Sequence, residues 1–470
     1  MFPTLVSQGL IASIILFLGF AFYSYKKAKN SNDSLIIYKD AVSSTLGVST
    51  LTASALGVWI LFSPASSALW GGLPSVFGYA LASSLPLLAL AFLGLKIRNA
   101  MPNASSLIEY TEVKLGKSYK NLLLVCTIFY MFIFLCAEMT AVAKVLQSYG
   151  GYSLGLGAFI ILLATASYSL MGGLRLSIKT DFIQFILIMF VLLGLFYFIP
   201  WNKSFETFDF ASTMSSDFTN FNHVAFGLTL IIAVLCTEVF NHTSWQRVYA
   251  LKKDVLKRSF IISALIVFVV IFILGMTGLY AKSTGLLGSD ANLALFDLLA
   301  LKSPVTIFIL ILFVVSLVLS SSDSLLNGIA SLFVLNKEEN SKNLSFYRWV
   351  IVLTCFPVYY IASKGYDVFY LFLVADLICC ALIGPAIFAI LGKREYPKAF
   401  LIGIISLVVG ALLFPGLNFT DGILVSFLGG AKEVPALLAQ NQLFFSFILS
   451  VSLSFILTLL FSKEAKNVKI

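Results

Sequence analysis

The sequence predicts an all-α polytopic membrane protein, and three observations carry that prediction. Charged residues make up only 11% of the 470-residue chain against 59% apolar ones, and the mean hydropathy is +0.98; soluble domains are about a quarter charged. Thirteen stretches are long and apolar enough to span a bilayer, since about 20 residues at a rise of 1.5 Å cross some 30 Å of hydrocarbon. Lysine and arginine crowd into alternate connections between these stretches.

The spans cover approximately 3 to 24, 41 to 70, 72 to 97, 121 to 149, 153 to 171, 180 to 200, 225 to 246, 258 to 283, 303 to 334, 346 to 363, 366 to 391, 397 to 416 and 441 to 462. All but six of the 31 basic residues fall on one side of this pattern, the six being Lys144, Lys203, Lys282, Lys302, Lys364 and Lys432. Short basic loops stay cytoplasmic, so the amino terminus is expected outside and the carboxyl terminus inside a plasma or inner membrane. The net charge of +9 is accounted for by these loops. No basic patch with interleaved aromatics stands apart from them, so the partners expected are a small-molecule solute and the lipid bilayer, with no nucleic acid and no obligate protein partner. The first apolar run precedes Lys26, Lys27 and Lys29, the reverse of a signal peptide's charge order, and is read as a retained span.

Residues 1–470 are read as one transmembrane domain, whose longest polar connections, 201 to 224, 284 to 302 and 417 to 440, hold short helices or gates on the outer side. The six cysteines lie in apolar runs with no metal-type spacing and read as small core residues.

Span two is rich in Ser, Thr, Ala and Gly around Ala53 to Gly57. Close helix packing explains such a composition; so does a helix that unwinds there, freeing carbonyls for a cation. Span seven is also expected to break, because Thr237, Glu238, Asn241, His242 and Thr243 gather in its inner half. An offset of five spans separates the two. That suits an inverted pair of five-helix repeats over approximately 41–200 and 225–391, with binding sites at the midplane.

Span nine carries Ser320, Ser321, Ser322, Asp323 and Ser324. Ser320, Asp323 and Ser324 share a face at i, i+3 and i+4, and their oxygens suit a hard cation. A lone serine in such a helix usually bonds back to its own carbonyls. A carboxylate inside a membrane costs at least about 2.5 kcal/mol and calls for a partner, so Asp323 and Asp181 are expected to share an ion. Asp181 also opens span six, where a carboxylate favours a helix amino terminus.

The stretch from Thr165 to Phe185, with Tyr168, Gly172, Gly173, Leu174, Thr180, Asp181 and Gln184, resembles the sodium:solute symporter signature, a Y-x-x-x-G-G-L turn followed by T-D-x-x-Q. Ser320 to Ser324 is similar to that family's S-T-A-D-S. The resemblance implies a LeuT-type 5+5 inverted repeat, with one extra amino-terminal and two extra carboxyl-terminal helices. It also implies sodium as the coupling ion, held by the Ser320 and Ser321 side chains and the main-chain oxygens of Ala53, Leu56 and Leu317. A second cation would lie among Asp181, Ser320, Asp323 and Ser324. The A-S-x-x-G-x-W stretch resembles the sodium/proline branch, but Ala55 stands where that branch has an aspartate. Asn241 to Arg247 resembles the end of the broken sixth core helix, which makes Glu238, Asn241 and His242 substrate candidates, with Trp59 and Ser63 facing them. Arg247 and Lys252 read as cytoplasmic charge, and His242 has a plain alternative as a hydrogen-bonded interfacial residue.

Buried acids outnumber buried bases, Glu138, Glu238 and Asp376 lying in spans with only Lys144 opposite. Met101 to Ala104, with Ser106, Leu107 and Glu109, is similar to a P-N-A-x-x-x-x-E stretch of the urea/polyamine branch. The function these features imply is sodium-coupled import of a small polar solute by alternating access, a neutral or cationic nitrogen compound such as urea or an amino acid. Proton coupling on the same fold, or a membrane sensor that binds without transporting, are the competing readings. No paired nucleophile and base points to an enzyme.

Overall fold

A computed structural model describes residues 3–27, 38–102, 104, 106–198, 216–284, 291–300, 304–335, 343–392 and 394–464. Lys29, Asn103, Lys203, Lys302 and Lys337, most of the 201 to 224 connection and residues 285–290 lie outside the described residues, as do 199 and 200 at the end of the first expected repeat. The chain folds into α1 (Pro3–Lys27), α2 (Ser44–Ala55), a 3-10 turn (Val58–Leu61), α3 (Ser63–Ala100), α4 (Leu107–Leu115), α5 (Lys117–Gly150), α6 (Leu154–Phe198), α7 (Phe221–Phe240), α8 (His242–Ala250) and α9 (Lys253–Thr284). It continues through α10 (Ala294–Ala300), α11 (Pro304–Leu335), α12 (Leu344–Ala362), α13 (Val368–Leu391), α14 (Ala399–Leu413), α15 (Ile423–Phe427), α16 (Ala436–Gln440) and α17 (Gln442–Leu460).

Among the described residues, eleven helices, counting the two arms of α6 separately, are long and apolar enough to cross a membrane. The two expected spans missing from that set have different reasons. The 41 to 70 segment is broken into pieces, and the 397 to 416 segment keeps 15 helical residues, Ala399–Leu413. The connection from 417 to 440 does carry short helices, α15 and α16.

Two tight reversals shape the bundle. Inside α6, Gly173 has φ +53 and ψ −153, a region open essentially to glycine alone. The Tyr168 hydroxyl bonds the Thr180 hydroxyl across it. On a straight helix residues 12 apart would be about 18 Å distant, so the chain folds back here and the Y-x-x-x-G-G-L and T-D-x-x-Q elements clasp each other. Gly72 plays the same part in α3, with φ +56 and ψ −151, and Ser75 Oγ donates to Ser67 O at 2.7 Å across the bend. There Asp217 Oδ2 accepts from Leu73 N at 2.8 Å, and its other oxygen lies 3.0 Å from His223 Nδ1.

Helices α11 and α13 are the most buried spans. α11 packs on α6, α5, α1 and α2, while α13 packs on α5, α7 and α17. α3 lies against α9 and α7. Outward side chains such as Phe190, Leu193, Phe356 and Leu460 are exposed, as befits a surface solvated by lipid.

At the lysine-rich end, a backbone ladder joins residues 40–42 to 249–252. Asp40 N donates to Tyr249 O at 3.1 Å, Ala41 N and Val42 N to Ala250 O at 3.0 Å each, and Lys252 N to Val42 O at 3.0 Å. Arg98, from the end of α3, bonds Val248 O at 2.9 Å and Leu251 O at 2.6 Å and pairs with Asp40. Nearby, Ser106 caps α4, its Oγ accepting from Glu109 N at 3.4 Å and donating to Glu109 Oε1 at 3.2 Å, which gives the glutamate of the P-N-A-like stretch a local structural role.

Candidate functional site

The first helix break is built around Gly57. α2 stops at Ala55, Leu56 turns out of helical geometry (φ −91, ψ 75) and Gly57 is extended (φ −73, ψ −177). A side chain at Gly57 would place its Cβ 2.5 Å from Glu138 Oε1 and 2.8 Å from Trp59 Cδ1, so only glycine lets the carboxylate approach. Glu138, fully buried on α5, takes the amides that the break exposes, Val58 N at 2.9 Å and Trp59 N at 3.3 Å. It also accepts from Ser321 Oγ at 2.6 Å. One carboxylate thus ties the interrupted helix to the serine run of α11.

The break leaves buried acceptors as well. Leu56 N bonds Thr52 O, and among the described residues no hydrogen-bond donor reaches the carbonyls of Ala53 and Leu56, both fully buried. Orphaned carbonyls in a membrane interior need a partner. α2 packs directly on α11, which supplies Ser320 and Ser321. An all-oxygen donor set of carbonyls and hydroxyls fits a hard monovalent cation in kind. The hydroxyls have other bonds here: Ser320 Oγ donates to Asp181 Oδ1 at 2.7 Å, and Ser321 Oγ also approaches Leu317 O at 3.1 Å.

Asp181, one of the two acids expected to share an ion, lies beside a protein cation. Arg247, assigned from sequence to the cytoplasmic charge, is fully buried, and its Nη2 lies 3.0 Å from Asp181 Oδ2. Its Nε donates to Thr50 Oγ1 at 3.0 Å, Nη1 to Thr243 O at 3.1 Å and Nη2 to Ser324 Oγ at 2.9 Å. Thr50 in turn donates to Asp181. The guanidinium therefore joins α8, α2, α6 and α11 in one network. Asp323 faces another way, accepting from Ser169 Oγ at 2.7 Å and Asn327 Nδ2 at 2.8 Å, with Tyr347 bonded behind Asn327.

The second break falls at Asn241, between α7 and α8 (φ −76, ψ 103). Its Oδ1 caps α8 by accepting from Thr243 N at 3.1 Å and Thr243 Oγ1 at 2.7 Å. Its Nδ2 donates to Glu238 Oε1 at 3.2 Å, and Ser244 donates to the other Glu238 oxygen. A cavity lies between the two breaks. Its walls include Ala55, Trp59, Tyr79, Tyr130, Phe134, Glu238, Asn241, Ser321, Ser324, Phe372 and Asp376, with no lysine, arginine or histidine among them.

Of the five substrate candidates, Trp59, Glu238 and Asn241 line this cavity, while Ser63 and His242 do not. His242 Nε2 sits 3.0 Å from Ser331 Oγ, which Gln246 also reaches at 3.0 Å; it is the hydrogen-bonded histidine of the plainer reading. Tyr79, Tyr130, Phe134 and Phe372 were not singled out from sequence. With 44 phenylalanines and 19 tyrosines in the chain, an aromatic in a span carries no contrast. Asp376 and Glu138 were visible as acids in apolar runs, though without a position.

No family model matches the chain. Over 394 residues it is 27% identical to a spermidine transporter of Candida albicans, covering 82% of this chain and 73% of that protein. In structure it is similar to a sodium-coupled sialic acid symporter in a substrate-bound outward-open state, with a TM-score of 0.74, 17% identity and coverage of 99% of this chain and 100% of the other. It is also similar to a nucleobase-cation-symport-1 family transporter in a closed conformation with bromovinylhydantoin bound, with a TM-score of 0.52, 13% identity and coverage of 92% and 96%. The fold is thus the LeuT-type transporter fold, and the related sequence is that of a membrane transporter of a small solute.

Proposed function

We propose that the protein is a sodium-coupled symporter that imports a small nitrogen compound, neutral or cationic, by alternating access across a plasma or inner membrane. The observation that carries this reading is the cavity between two helix breaks, walled by aromatics and two carboxylates and lacking any basic side chain. Solutes with a carboxylate would need the exposed amides of the first break, and Glu138 already holds those. A solute offering N–H donors or positive charge meets acceptors instead. That a related protein is a spermidine transporter agrees with that preference; urea is the neutral member of the class, and amino acids, which carry a carboxylate, fit it less well.

Sodium would be held by the main-chain oxygens of Ala53, Leu56 and Leu317 with the hydroxyls of Ser320 and Ser321. A second cation would lie among Asp181, Ser320, Asp323 and Ser324, where the Arg247 guanidinium beside Asp181 and Ser324 supports a reading with one sodium ion per solute. Across a potential of 100 mV each net charge carried inward supplies about 2.3 kcal/mol, roughly fifty-fold accumulation. The lysine-rich end, with the ladder between residues 40–42 and 249–252, would face the cytoplasm, and residues 1–470 would work as one transmembrane domain.

One observation favours proton coupling as a second reading. Both hydroxyls assigned to sodium donate to carboxylates, Ser320 to Asp181 and Ser321 to Glu138, an arrangement that a proton could also adjust. Uptake into proteoliposomes separates the two. A sodium gradient at equal pH on both sides should drive accumulation, and a pH gradient without sodium should not; the opposite pair of results would overturn sodium coupling.

A further inference from the structure

We propose that Asp376 is the anchor for a substrate ammonium group, which makes aliphatic amines, and not urea, the solutes that this cavity selects. The inference deepens the transporter reading and rests on it. Asp376 lies two turns inside α13, 6% exposed, and faces the cavity. Each of the other carboxylates described above in the bundle interior is already bonded. Glu138 holds two amides and Ser321; Asp181 holds Arg247; Asp323 holds Ser169 and Asn327; Glu238 holds Asn241 and Ser244. Among the described residues no hydrogen-bond donor and no cation meets Asp376.

A buried carboxylate without a partner is costly, and Asp376 lines a cavity from which a partner can come. The surroundings specify that partner's chemistry. Phe372, one turn earlier on the same helix face, stands edge to face with Phe134 at 4.8 Å and with Trp59 at 6.4 Å between ring centroids, and Tyr130 adjoins Phe134 at 5.9 Å. Ring faces beside an acid attract a cation and its methylene stem together. Urea would bring neither the charge nor the stem. Glu238 lines the same cavity from α7, which offers a second acidic contact to an amine charged at both ends.

The test uses the full chain in detergent, titrated calorimetrically with 1,4-diaminobutane, 1-butylamine, 1-butanol and urea. The diamine and the monoamine should bind, with butanol and urea silent. Asp376→Asn should weaken diamine binding about tenfold or more, while Asp376→Glu keeps most of it. Gel filtration of Asp376→Asn checks that it folds, and if it does not, the butylamine and butanol pair on the wild-type protein still decides whether charge is required. Unchanged diamine affinity in folded Asp376→Asn overturns the assignment. Wild-type binding of urea but not of the amines overturns it too, and leaves the transporter reading standing. If none of these four solutes binds, and neither they nor any amino acid added in a parallel sodium-driven uptake assay is accumulated, both readings fail.

Discussion

Arg247 is the residue on which most of the polar interior converges. It is buried, paired with Asp181 and bonded to two hydroxyls on other helices and to a carbonyl of its own, so removing it strands a buried carboxylate. Breaking such a pair from one side typically costs about 3 to 5 kcal/mol. Arg247→Gln should therefore lower the thermal midpoint of the purified protein sharply and abolish uptake, whereas Arg247→Gln with Asp181→Asn should recover part of the midpoint. A double variant no more stable than the single would show that the pair is not the reason. Ser321 offers a second test. Ser321→Ala deletes one proposed sodium ligand while leaving Glu138 its two backbone donors. The sodium concentration giving half-maximal uptake should rise about tenfold, which corresponds to about 1.4 kcal/mol; an unchanged value would remove Ser321 from the ion site.

At the level of elements, the glycine reversals set where the helices can go. Gly173→Ala would hold an ordinary side chain at φ +53, a strain of about 1 to 3 kcal/mol, and should loosen the clasp between Tyr168 and Thr180. Reduced thermal stability with a normal far-ultraviolet helix signal is the expected outcome. These features were readable in the sequence because they rest on local composition. A glycine pair between apolar runs marks a reversal, and Ser, Thr, Ala and Gly crowded around Leu56, or Asn241 beside Glu238, mark a break. Arg247 was not readable, for it stands beside Lys252, Lys253, Lys257 and Arg258, and charge counting assigns it with them. Its partner Asp181 lies 66 positions away, a pairing that only the folded chain creates. The same limit hid the cavity wall, whose rings come from helices distant in sequence, and it left Ser63 and His242 among the candidates when the breaks turn them elsewhere.

Across the whole molecule, the ladder joins two segments at the lysine-rich end, and if that end faces the cytoplasm as proposed, inward release would require it to part. Replacing Ala41 and Ala250 with cysteines, in a background lacking the native six, should allow a disulfide across the ladder. Oxidation should arrest uptake and a reductant should restore it. Full uptake by the cross-linked protein, confirmed by mass spectrometry, would mean that the solute leaves by another route.

That ladder is made of main-chain amides and carbonyls, so no exchange of one side chain for another erases it, proline apart. The chain's spacing guards it. Dropping one residue between Asp40 and Ser44 would slide every donor past its acceptor and leave the door ajar, a failure that scanning this stretch residue by residue with alanine would never reveal.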